Sequence, residues 1–296
     1  MQQIVVRVPA STSNLGPGFD CLGVALRLYN EVALSRFPTT RSRRGEKNHL
    51  PIVRQAATLF FKTVRLRPFA FSCSIVGAIP RSRGLGSSGS IRVGVLHGLN
   101  ELTGKPLDQW SIFRLGAHLE GHPDNVAPAV FGGFTVVRGE DVQRFDVSSR
   151  LAFVLLIPDF EISTAAARKI LPRKISRIAA VKSSANACAI TAAFVAEKYE
   201  QLRGRFVDQL HQPFRARLIP FLPRVIAAVE KAGALGAFLS GSGSTICAVT
   251  LQDQEKIAAA MKRALTWAKA ISASTIITSA DNRGAQIRHS SFVIRH

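Results

Sequence analysis

The ten residues Pro80-Arg-Ser-Arg-Gly-Leu-Gly-Ser-Ser-Gly89 constrain the fold of this chain more than any others. They follow an apolar run, 69–79, that is strand-like in its first half, and they open a helical pattern marked by Ile91, Val95, Leu99 and Leu102. A strand that turns through glycines into a helix leaves the first helical N–H groups without intrahelical acceptors, ready to face an anion. Gly84 and Gly86 permit torsions and close approaches that a Cβ obstructs. Ser87 and Ser88 add hydroxyls suited to a phosphate or its magnesium, and Arg81 and Arg83 add positive charge. Taken alone, the same residues also describe a serine-rich helix N-cap.

Hydrophobic patterning predicts a strand over 3–9 that Pro9 ends, a polar loop over 10–20, and a second strand-like stretch over 21–35. Helices are expected over 50–64, 87–103 and 107–119, the last capped by Asp108, and a strand over 131–137 entered through Gly132-Gly133. A new unit begins near Leu151, with a strand over 152–157, helices over 164–170, 182–196, 221–232 and 253–269, and strands over 245–249 and 274–278. Strands alternating with helices, without a long βαβ run, predict an α+β protein of two layers. The expected division is 1–150 and 151–296.

The chain of 296 residues carries a net charge of +20, far beyond what one small anionic ligand needs. Between Arg36 and Arg83 only Glu46 opposes the cations. A nucleic-acid protein can have this balance, but stacking aromatics are sparse around the basic positions and no helix-turn-helix, zinc or RNP pattern occurs. No run reaches the roughly 20 apolar residues of a membrane span, and Arg7 and Pro9 interrupt the early apolar run that a signal peptide needs. Cys21, Cys73, Cys188 and Cys247 lie far apart and read as small buried residues of a reducing cytoplasm.

Three further segments give the glycine loop its context. They are Val8-Pro-Ala-Ser-Thr-Ser-Asn-Leu-Gly-Pro-Gly-Phe-Asp-Cys-Leu-Gly23, then Glu120-Gly-His-Pro-Asp-Asn-Val-Ala-Pro128 running into Phe131-Gly-Gly-Phe134, and Ser240-Gly-Ser-Gly-Ser244. With Pro80–Gly89, and in this order, they resemble the GHMP kinase superfamily; the first two are similar to its homoserine kinase family. The resemblance covers essentially the whole chain. It implies a two-domain fold, a ribosomal-protein-S5-like N-terminal domain and a ferredoxin-like C-terminal domain, with the active site in the cleft between them. ATP would then phosphorylate the side-chain hydroxyl of L-homoserine, giving O-phospho-L-homoserine for threonine synthesis, in a cytoplasmic homodimer.

By the same resemblance Pro80, Arg83, Gly84, Leu85, Gly86, Ser87, Ser88 and Gly89 cradle the nucleotide phosphates, and Asn48 lies near the adenine, although a helix N-cap explains Asn48 equally well. Ser88 and Glu120 would hold Mg²⁺, as hard oxygen ligands do. Asn14 and Asp20 fall at the substrate's amino and hydroxyl end, His122 and Asn125 against the substrate, and Arg168 with Arg215 or Arg217 at its carboxylate. Arginine suits that carboxylate through bidentate geometry. Asn125 stands where several GHMP kinases have an aspartate base. An amide accepts no proton, which implies direct attack by the substrate hydroxyl without a dedicated protein base, with Asp124 as the neighbouring alternative. Phosphorylation of another small alcohol, such as mevalonate or shikimate, is the alternative within the superfamily. Nucleic-acid binding on this fold is the alternative outside it.

Overall fold

Valine and isoleucine at every second position make Gln3–Ser13 a strand, β1, that pairs antiparallel with the long β2, Leu22–Arg36. Pro9 does not end it. The proline, which has no N–H for the ladder, sits at a register shift between Pro9 and Ala10, the kind of irregularity that accommodates it. The shift also redirects the side chains: Ile4, Val6 and Val8 enter one hydrophobic core and Ala10 another. The computed structural model describes residues 3–37, 50–265 and 271–289.

After β2 come α1 (Pro51–Val64), β3 (Phe71–Gly77), α2 (Ser87–Leu102), α3 (Gln109–Glu120), α4 (Val126–Phe131), β4 (Phe134–Arg138) and β5 (Asp141–Phe145). The chain then forms β6 (Ala152–Pro158), α5 (Thr164–Lys169), α6 (Arg177–Val195), α7 (Gln212–Arg215), α8 (Leu222–Ala232), β7 (Gly236–Leu239), β8 (Ile246–Thr250), α9 (Gln254–Ala264), β9 (Ala273–Ser279) and β10 (Gln286–His289). The first sheet has the order β10-β1-β2-β4-β5, with β3 on the far part of β2; the second has the order β7-β8-β6-β9. The last strand therefore returns to the first sheet, with Ile4 opposite His289.

Three apolar cores hold these layers. One lies between the first sheet and α1 to α4, and one between the second sheet and α8 and α9. The third joins the halves: β6 alternates, sending Phe153, Leu155 and Ile157 into the shared core and Val154 and Leu156 to the other face. Phe134 of the first sheet stacks on Phe194 of α6 with centroids 4.3 Å apart, a contact worth about 1 kcal/mol beyond its buried area. The two halves are thus fused by packing, which fixes the cleft at their edge. The expectation of four buried cysteines also needs correction: only Cys247 is buried, Cys73 is half-buried, and Cys21 and Cys188 are exposed.

Candidate active site

A cleft of about 650 Å³ opens where the β1–β2 turn, the 80–89 loop, the start of α1 and the end of α3 meet residues 162–168 and 241–242 of the second half. Two glycine–serine loops interlock at its floor. Ser240 Oγ donates to the Gly84 carbonyl at 2.7 Å and lies 2.8 Å from Thr12 Oγ1, while the Gly241 N–H donates to Ser13 O at 3.2 Å. The contact demands glycine: Gly84 (φ +76°) and Gly86 (φ +67°) are left-handed, and a Cβ on either would run into Ser240 O or Ser11 Oγ. Gly86 precedes α2, whose first turn has no side-chain cap and no acidic residue. Its N–H groups face the cleft with the positive end of the helix dipole.

Ser88 and Glu120 meet at this helix start. Glu120 is the last residue of α3, and its Oε2 accepts from Ser88 Oγ at 2.8 Å. A hydroxyl and a carboxylate side by side fit a magnesium ion that keeps waters and phosphate oxygens as its other ligands. Among the described residues there is no group of three His, Cys, Asp or Glu that would make an all-protein cage. The other Glu120 oxygen is in a short ion pair with Arg92 of α2, which also donates to Gln55 Oε1 at 3.2 Å. Arg83 reaches across to the second half, 3.2 Å from Asp159 and 3.5 Å from Glu161.

The opposite end of the cleft carries charges of both signs, Asp20 against Arg168 and Arg215. Arg168, in the last turn of α5, donates to Asp20 Oδ1 at 2.6 Å and keeps a buried Nε without a partner. Arg215 lies almost completely buried, donating to Gly241 O at 2.9 Å and Ala167 O at 3.2 Å. Burial lowers its guanidinium only to about 10, so it remains charged at neutral pH. Both cations approach the Phe19 ring, Arg168 at 5.3 Å and Arg215 at 5.2 Å from its centroid. His211 stacks on the same ring. Arg215 donates to its Nδ1 at 3.3 Å, and an arginine cannot accept. Its Nε2–H therefore donates to Gly16 O at 2.8 Å, in a ring that burial keeps neutral.

Asn14 borders the cleft, but its amide is engaged within the protein: Oδ1 accepts from the Asp20 N–H at 3.0 Å and Nδ2 donates to Gly241 O at 3.0 Å. Asn125 accepts from Ser11 Oγ at 3.1 Å, and His122 lies beside it on the cleft wall. Between them Asp124 is buried, its Oδ1 has no partner, and burial together with the charge of Asp20 raises it to about 6.

The structure thus gathers Asn14, Asp20, Arg83, Gly84, Gly86, Ser87, Ser88, Glu120, His122, Asn125, Arg168 and Arg215 around one cleft. It places Leu85 in the core and Pro80 and Gly89 behind the lining. Arg217 is exposed and outside the cleft, so Arg215 is the arginine at this end. Asn48 lies outside the described residues. Sequence reasoning missed Phe19, Arg92 and His211.

The GHMP kinases N terminal domain model matches residues 51–133, and the GHMP kinases C terminal model residues 191–266. A homoserine kinase of Clostridium botulinum is 36% identical over 95% of this chain and 97% of its own length. One of Caldicellulosiruptor bescii is 38% identical over 96% of each. Among solved structures, a homoserine kinase from Cytophaga hutchinsonii superposes with a TM-score of 0.87 at 28% identity, covering 97% of this chain and 98% of that one. A mevalonate kinase, at 16% identity and a TM-score of 0.68, shares the fold alone. With the glycine–serine loop, the cleft and the two-domain architecture all in place, the chain belongs to the homoserine kinase family of the GHMP kinases.

Proposed function

We propose that this kinase transfers the γ-phosphoryl group of ATP to the side-chain hydroxyl of L-homoserine, yielding ADP and O-phospho-L-homoserine, a step toward threonine. The observation that carries the reading is the Arg168–Asp20 pair beside Arg215 and Phe19, in the same cleft as the 84–88 loop. A free amino acid presents one carboxylate and one ammonium, and this end of the cleft holds the opposite charge for each. Arg168 and Arg215, both against Phe19, take the carboxylate, and Asp20 takes the ammonium. The hydroxyl then points along the cleft toward Asn125 and Ser88. Mevalonate and shikimate bring a carboxylate but leave Asp20 without a cation.

The N-terminal amides of α2 and the loop Gly84–Ser88 bind the β- and γ-phosphates. Arg81, Arg83 and Arg92 supply further positive potential along the same wall. Ser88 and Glu120 hold Mg²⁺, which neutralises phosphate charge when bound. Asn125 orients the hydroxyl through its amide, and no protein base is needed when the transition state is loose. Asp124 supports a second reading, in which its unpartnered Oδ1 accepts the hydroxyl proton. Its carboxyl, raised to about 6, is largely ionised at pH 7 and matched to that task. We divide the domains at 1–150 and 151–296, with β10 returning to the first; the enzyme acts as a homodimer.

A coupled ADP-release assay with Mg-ATP tests the substrate. ADP release that requires L-homoserine, ignores mevalonate and shikimate, and vanishes in Glu120→Ala is expected. Turnover on another alcohol alone removes homoserine from the reading. Asp124→Asn separates the mechanisms: a base costs about 10²–10⁴-fold in kcat and removes the acidic limb of the pH profile, whereas direct attack leaves kcat within about tenfold.

A further inference from the structure

Helix α6 carries apolar residues on two opposite faces. The inner face, with Ser183, Ile190, Ala193 and Phe194 buried, packs into the core shared by the two halves. The outer face bears Ile178, Val181, Ala185, Cys188, Ala192 and Val195, spaced by alternating steps of three and four residues. That spacing is the a/d repeat of a helix–helix seam. All of these residues are exposed: Ile178 to 78%, Val181 to 62%, Val195 to 48%. Single exposed aliphatics are ordinary on a surface, but a five-turn seam of them is a contact surface. A helix with an apolar stripe on each of two opposite faces has a second stripe to cover as well as the first. The sequence shows no run of twenty apolar residues, yet α6, with 19 residues, is long and apolar enough by length and composition to cross a membrane. Its inner face in the protein core makes it a core helix with a second face left open.

We propose that this face is where two copies of the chain meet, α6 against α6 in antiparallel orientation across a two-fold axis. The inference gives the homodimer of the preceding reading its surface, and it rests on that part of the reading alone. Charge selects both the partner and the direction. Arg173, Lys174, Arg177 and Lys182 are exposed at the amino end of α6, and Glu197 and Glu200, with Lys198 between them, are exposed just past its carboxyl end. A parallel pair stacks the cations on their copies, whereas an antiparallel pair sets the cations of each copy beside the glutamates of the other. Shape agrees. Centring the pair between Ala185 and Cys188 places Ile178 against the partner's Val195 and Val181 against the partner's Ala192. The small residues Ala185 and Cys188 then lie at the axis, where the backbones come closest. Such a contact is isologous and closed, so it stops at two copies.

The test measures mass by light scattering on the full chain, with ADP release recorded on the same samples. The wild type is expected to be a dimer at micromolar concentration. Val181→Glu is expected to raise the dimer dissociation constant at least tenfold, with an unchanged circular-dichroism spectrum and unchanged turnover per chain. In a Cys188→Ser background, Val181→Cys combined with Ala192→Cys is expected to form an oxidised cross-linked dimer, and Val181→Cys alone is not. A monomeric wild type, or a dimer indifferent to Val181→Glu, overturns the proposal. Cross-linking through Val181→Cys alone overturns the antiparallel arrangement. Sedimentation of a monomer with phosphatidylserine vesicles, abolished by Val181→Glu, assigns the face to a membrane surface and also overturns it. A dimer without homoserine-dependent turnover counts against the kinase reading and leaves this one standing; an active monomer does the reverse.

Discussion

Arg168 and Asp20 hold each other at 2.6 Å across the cleft, so each charge already has the partner that a bound amino acid would exchange. The exchange conserves ion pairs, which is how a partly buried site keeps two charges without a large desolvation cost. Removing Arg168 leaves the substrate carboxylate with Arg215 alone, a loss of about 3 kcal/mol for a charged hydrogen bond. Arg168→Ala should therefore raise the KM for homoserine about 100-fold and leave the KM for ATP within about threefold. Equal changes in both constants, measured by steady-state kinetics, would refute the carboxylate assignment. Asp20, Arg168 and Arg215 were legible because they stand inside recognisable motifs. Phe19 stood in the same motif, in Gly-Phe-Asp, but an aromatic letter says nothing of which two guanidiniums will approach it. Arg92 left a plainer signal: it is the sole charge in the helix before Glu101. Its partner Glu120 lies 28 positions away and becomes a neighbour only through the packing of α2 on α3.

At the scale of elements, the interlocked glycine–serine loops act as one unit, since the second loop closes on the first through Ser240 and Gly241. The sequence marked both loops, but not that the second buttresses the first, because the two are over 150 residues apart. Two glycines of the first loop should respond with opposite signs. Gly84→Ala puts a Cβ into the Ser240 carbonyl at a left-handed φ of +76°, a loss of about 2 kcal/mol or more. Gly89 sits inside α2 with room for a methyl, the nearest atoms being Val126 Cγ2 at 3.9 Å and Asn125 Cβ at 4.0 Å. Gly89→Ala should gain about 0.5 kcal/mol through helix propensity. Urea midpoints would show the pair of shifts, and ADP release should fall only for Gly84→Ala. Destabilisation by Gly89→Ala would mean that the helix start is more crowded than these distances indicate. Pro9 shows the complementary limit of sequence reading. Its missing N–H was visible, but whether a strand ends at a proline or passes it through a bulge depends on the partner strand.

For the whole molecule, two α+β layers were legible from the alternation of strands and helices, but the return of β10 to the first sheet was not. Four residues, Gln286–His289, carry too little pattern to announce a strand, and their partner is at the other end of the chain. The fusion of the halves through one shared core makes pH a property of the assembled molecule. His211 lies at the junction, and burial holds its ring below the ordinary range; His97 of α2, with a sealed and unpartnered Nε2, is lowered from 6.5 to about 4 by the same cause. A histidine whose folded pKa is depressed contributes stability above pH 6.5 that is lost as the pH falls toward 4. For His97 the loss reaches up to about 3 kcal/mol. Asp124 works in the opposite direction: raised from 3.8 to about 6, it destabilises the folded chain above pH 6, and that burden lifts as the pH falls. Its relief, up to about 3 kcal/mol, offsets His97 alone. His211 therefore decides the sign, and the folded chain should lose stability between pH 6.5 and pH 4. Thermal melts at pH 7.5 and 5.0 should show the lower midpoint at pH 5.0, with a smaller gap in His97→Gln and a wider one in Asp124→Asn. A midpoint that rises on acidification would mean that Asp124 outweighs both histidines, and that the buried carboxylate, not the junction, sets the acid response of the fold.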